Sequence, residues 1–129
     1  MSLPASTPSR PARAAPRPSP ANATARLSCQ LARDVAGAML DVPAEEIAGA
    51  TRSRPVVCEA RHVGMYLAHI VFQLPYQAVA EGFQRHRTTV SYAVRQIEDR
   101  RDDGRFDVLL TEHEERAEAL RRQMAGDPA

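Results

Sequence analysis

The sequence contains no lysine and no tryptophan. All 17 basic residues are therefore arginine, and any cationic contact comes from a planar guanidinium able to fork onto phosphate or guanine. Aromatic residues make up only 5%, which leaves Ala, Val, Leu and Ile to build the core. Two cysteines, Cys29 and Cys58, are too few for a zinc framework and show no disulfide pattern. Each sits in an apolar run and reads as a reduced, buried thiol, which fits a cytoplasmic setting. No stretch approaches the roughly 18 apolar residues of a membrane span. A glycine-rich GxxxxGK[ST] loop is absent, which excludes a nucleotide-phosphate cradle of that type. His62 and His69 are seven positions apart, too far for i, i+4 chelation, so no metal site is expected. No nucleophile–base pair or carboxylate pair stands apart from the helical pattern. The reading is therefore not an enzyme, with no cofactor.

The net charge of +1 hides a division along the chain. Residues 1–24 carry three Arg and no acid. Residues 51–101 carry eight Arg against Glu59, Glu81, Glu98 and Asp99, whereas residues 102–129 carry eight acids against four Arg. A basic middle and an acidic end result. The opening stretch holds six of the ten prolines and almost no large apolar groups, so residues 1–24 are expected to form a disordered arm. The arm either adds non-specific attraction to phosphate or is a solvated tail. Its prolines spoil the amphipathic helix of a transit peptide, and it lacks the apolar core of a secretion signal. The expected organisation is this arm, a helical domain over residues 25–122 and a short flexible tail over 123–129. At 129 residues the chain has room for one modest core.

Helical periodicity recurs from Ala25 onward, and no alternating strand-like segment occurs, so the fold class is all-α with about six helices. Leu27, Leu31, Val35, Ala38 and Met39 trace a first stripe ending near Leu40. Asp41, with Pro43 in the first turn, signals a short second helix, PAEEIAGA. The basic loop TRSRP follows, and a third helix over about 57–72 is expected to bury Val63, Leu67 and Ile70. A short fourth helix places Val79, Ala80 and Phe83 inward. A turn at 84–87 leads to a fifth helix over 88–103, with Val90, Ala93, Val94 and Ile97 at i, i+3, i+4 and i+7. The segment DDGRFD ends it. A sixth helix from about Phe106 buries Phe106, Leu109, Leu110, His113, Ala117 and Leu120. Its acidic cluster, Glu112, Glu114, Glu115 and Glu118, is either a solvated face or a contact for a basic partner.

The fourth helix, tight turn and fifth helix together form a helix-turn-helix pattern, in which the second helix enters the DNA major groove. Thr88 and Thr89 offer methyls for thymine and hydroxyls for base or phosphate. Arg85 and Arg87 can fork onto guanine or phosphate, and His86 suits either according to its proton. Thr88 is also a candidate N-cap of the fifth helix. Tyr92 points outward by periodicity, toward a sugar-phosphate backbone or onto Phe106.

Residues 59–98, EARHVGMYLAHIVFQLPYQAVAEGFQRHRTTVSYAVRQIE, resemble the C-terminal DNA-binding domain of the DnaA replication initiator family. The likeness lies in EAR and MYL within Glu59–Leu67, the Val79–Phe83 helix and the R, TTV pattern from Arg85 to Val90. It continues through Ala93, Arg95, Ile97 and Glu98, and the order of the earlier helices extends it back to about residue 25. The resemblance implies a Trp-repressor-like helix-turn-helix standing alone, without the family's ATPase module. It also implies that a loop arginine enters the minor groove: Ser53 falls at that point, flanked by Arg52 and Arg54. Arg61 would contact phosphate, assisted by His62, while His86, Arg87, Thr88 and Thr89 would read bases.

Two departures matter. His86 and Arg87 replace the family's aspartate and histidine, exchanging a carboxylate that accepts from cytosine for donors that favour guanine or phosphate. The turn is also one residue shorter than the commonest family form, and Gln77 stands where a proline is usual. The expected function is sequence-specific binding of double-stranded DNA, with a preference displaced from the family's box. A regulator of transcription or replication would follow, acting by occupancy as a monomer, cytoplasmic and associated with the nucleoid. The alternative is an adaptor that works mainly through contacts with replication or transcription proteins.

Overall fold

The computed structural model describes residues 20–49 and 54–126. It contains α1 (Pro20–Leu40), α2 (Ala44–Ala48), α3 (Pro55–Ile70), α4 (Tyr76–Phe83), α5 (Arg87–Arg100) and α6 (Gly104–Met124). No strand occurs among the described residues, and the fold is all-α.

The centre of the molecule is α3. Val57, Ala60, Val63, Gly64, Met65, Tyr66, Leu67 and Ala68 are all buried, so this helix is apolar around most of its circumference. It starts at Pro55, whose fixed φ suits the first helical position. α1 packs on one side of it and α5 on another, while α6 lies chiefly on α1. Ile70, expected inside, is 40% exposed at the end of α3.

α1 begins at Pro20, seven residues ahead of Leu27, the first residue of the apolar stripe. Its buried face also differs from the one the large residues suggested. Leu27 is 44% exposed and Ala38 is exposed, whereas Ser28, Cys29, Ala32, Val35, Ala36 and Met39 face inward. Small side chains let α3 and α4 approach closely, so burial follows size as well as hydropathy. A Cβ on Gly82 of α4 would lie 2.3 Å from the Cys29 sulfur. Arg33 seals the same junction, donating to the Gly82 carbonyl at 3.0 Å with its guanidinium 5.0 Å from the Phe83 ring centre. Cys58, expected to be buried like Cys29, is only half-buried.

Three boundaries move from their expected places for identifiable backbone reasons. Asp41 adopts φ 57 and terminates α1, with the Val42 N–H donating to the Gly37 carbonyl at 2.9 Å; Pro43, not Asp41, precedes α2. α5 ends at Arg100, and α6 starts at Gly104 because Asp103 caps it, accepting from the Arg105 amide at 3.0 Å. At this corner Arg101 donates to Asp107, Glu114, Tyr66 and Thr111, and Arg100 pairs with Glu59 while stacking on Phe106. Glu114 is thus part of a clasp between helices, not only a solvated face.

Candidate nucleic-acid interface

α4 buries Val79, Ala80 and Phe83 against the core, and α5 buries Val90, Ala93, Val94 and Ile97. The chain reverses between them at Gln84, which adopts the left-handed conformation (φ 54, ψ 49). There the Arg85 amide donates back to the Ala80 carbonyl at 2.9 Å. His86 is extended and precedes the first residue of α5, Arg87. Thr88 therefore lies inside the first turn and is not the N-cap.

No side chain caps α5, and its first turn holds no acid. The amide end of the helix carries partial positive charge, which favours an anion there. His86, Arg87 and Thr88 are exposed, Thr89 is half-buried, and Arg95 continues the exposed strip about two turns after Thr88. Arg95 donates to the Ser91 hydroxyl at 3.3 Å.

Tyr92 is 53% exposed and meets His62 of α3 edge-on, with ring centres 5.9 Å apart; it does not pack on Phe106, which instead lies beneath Arg100. This contact joins the middle of α3 to the exposed strip of α5. Burial, and secondarily the Arg61 cation, hold the His62 pKa below its ordinary value. His62 therefore offers this surface a neutral ring at neutral pH.

The arginines fall into two groups. Arg54 is exposed at the start of α3 and pairs with Glu46 at 3.2 Å. Arg52 lies outside the described residues. Arg61, by contrast, is only 7% exposed and is directed inward. It donates to the carbonyls of Ile47 at 2.9 Å, Glu46 at 3.3 Å and Gly49 at 3.2 Å, closing the C-terminal end of α2. Arg85 is half-buried and donates to the same Gly49 carbonyl at 2.8 Å, and also to those of Phe83 and Gln84.

His86, Arg87, Thr88, Thr89, Tyr92 and His62 are thus brought together, with Arg54 near one end of the loop. Sequence reasoning missed Gly49 as the meeting point of Arg61 and Arg85. No side-chain signal marks it, since the acceptor is a main-chain oxygen. Among the described residues no group of His, Cys, Asp and Glu could hold a metal ion. No described helix is long and apolar enough to cross a membrane.

A short helix, a tight turn and a second helix with a polar, acid-free first turn define a helix-turn-helix domain of the DNA-binding type. The chain belongs to the bacterial DnaA protein helix-turn-helix family, whose profile matches residues 31–97. Comparison with curated protein sequences gave no match.

Proposed function

We propose that this protein binds double-stranded DNA in a sequence-specific manner and acts by occupying its sites, as a regulator of transcription or replication associated with the nucleoid. The observation that carries this reading is the first turn of α5. It is exposed, free of acid and uncapped, and its opposite face is locked into the core. A helix presented in this way can enter a major groove without losing its packing. Arg87, Thr88 and Thr89 read base edges, with His86 at the lip of the groove. Arg52 and Arg54 anchor the flanking minor groove or backbone, and His62 and Tyr92 border the phosphates. Arg87 forking onto guanine supplies roughly 1–3 kcal/mol of discrimination at one base pair. The protein binds as a monomer.

The test is genome-wide occupancy of the tagged protein beside an Arg87→Ala, Thr89→Ala variant. Sharp peaks sharing a motif, lost in the variant, are expected. A flat wild-type profile would sink this reading and redirect attention to an adaptor role through protein contacts.

A further inference from the structure

Arg85 was expected to fork onto guanine or phosphate, yet its guanidinium is bonded to main-chain carbonyls. Its Nη1 reaches the Phe83 carbonyl at 3.3 Å and the Gln84 carbonyl at 3.2 Å, both at the end of α4. Its Nη2 reaches the Gly49 carbonyl, which closes α2, at 2.8 Å. One guanidinium thus caps the negative ends of two helices, the place where a cation is favoured. A carbonyl oxygen has two lone pairs, and Gly49 receives its second bond from Arg61. The link spans 36 positions of sequence and holds the turn one residue ahead of His86. No carboxylate forms an ion pair with Arg85 among the described residues, so its charge is directed at these carbonyls.

We propose that Arg85 is a positioning residue for DNA recognition: by clamping the α4–α5 turn to Gly49 it fixes where His86 and Arg87 present their side chains. This inference rests on the DNA-reading function above and deepens it. It makes base discrimination at Arg87 depend on a group that need not touch DNA. The fork is essential, because one nitrogen holds the turn and the other holds α2. Lysine, a point charge without a fork, cannot serve both ends at once.

The experiment selects the preferred duplex for the full chain, then measures affinity against salt for that duplex and for one altered at the base read by Arg87. Arg85→Ala and Arg85→Lys are compared with wild type, and backbone amide NMR shifts are recorded for each free protein. The positioning role gives both variants a roughly tenfold or greater loss of discrimination at that base. It leaves the salt slope within error of wild type and displaces the amide signals of His86, Arg87 and Gly49. A direct phosphate contact gives the opposite pattern. Arg85→Ala then lowers the slope by about 0.9, Arg85→Lys behaves as wild type, and discrimination persists. That result would overturn the proposal while leaving DNA reading intact. If wild type selects no motif, the DNA-reading function fails, and the proposal, which rests on it, falls with it. Unmoved signals at His86 and Arg87 in both variants overturn the proposal by themselves.

Discussion

Arg61 and His62 are neighbours in sequence, but they do different work. Arg61 donates to three carbonyls at the end of α2, so Arg61→Ala removes three bonds at once; Glu46 keeps the Gly49 amide and Gly49 keeps Arg85, but the buried Ile47 loses the donor to its carbonyl. A loss of about 2–3 kcal/mol in unfolding free energy is expected from urea denaturation with an unchanged m-value. A loss below about 0.5 kcal/mol would show that the closure of α2 does not depend on it. His62 is governed by its proton. Its folded pKa is depressed by burial and by the Arg61 cation, so the unfolded chain takes up the proton first as pH falls. The stability tied to neutral His62 is present above the ordinary histidine value of about 6.5 and declines below it, levelling off beneath the folded pKa. Urea midpoints between neutral and mildly acidic pH should therefore fall less steeply for His62→Gln than for wild type.

At the scale of the element, Gly82 in the last turn of α4 and Gln84 just past its end carry opposite constraints. Gln84 occupies a left-handed conformation that costs an L-residue with a Cβ about 1–2 kcal/mol. Glycine avoids this cost but brings a more flexible unfolded chain, so Gln84→Gly is expected to stabilise by about 0.5–1 kcal/mol, read as a higher Tm. Gly82 has no such freedom, because a Cβ there would lie 2.3 Å from the Cys29 sulfur. Gly82→Ala should destabilise by about 1–3 kcal/mol through overpacking between α4 and α1. Adding Cys29→Ala should restore part of that loss. Additive losses in the thermal unfolding of the double variant would place the strain elsewhere.

For the molecule as a whole, the basic middle of the chain is less basic at its surface than its composition suggests. Of the eight arginines in residues 51–101, Arg61 and Arg85 cap helices, Arg100 pairs with Glu59, and Arg101 is clasped by Asp107 and Glu114. Arg54, Arg87 and Arg95 are exposed among the described residues. A DNA complex should therefore show a modest salt slope, between about −2 and −4, rather than the roughly −7 that eight phosphate contacts would give. Arg101→Gln provides the control. It removes the bonds to Asp107, Glu114 and Tyr66 and should cost about 2 kcal/mol of stability without changing that slope. A shallower slope in this variant would assign Arg101 to DNA.

The inner faces of α4 and α5 were legible in the sequence because helical periodicity is a local property. Val79, Ala80, Phe83, Val90, Ala93, Val94 and Ile97 are buried as their spacing predicts. The outward placement of Tyr92 followed from the same spacing, and the residue pattern from Glu59 to Glu98 was enough to point to the family. Tertiary structure decided the buried face of α1, where Cys29, Ala32 and Ala36 face inward while Leu27 is exposed. Close helix approach depends on the shape of the neighbour as well as on hydropathy. The structure alone also separated the arginines directed inward from those left exposed. A guanidinium is long and its acceptors here are main-chain carbonyls, such as Gly49, which bear no residue-type signature and lie 36 positions from Arg85. Helical faces are written in the order of neighbouring residues; the partners of long cations arise only when distant helix ends meet.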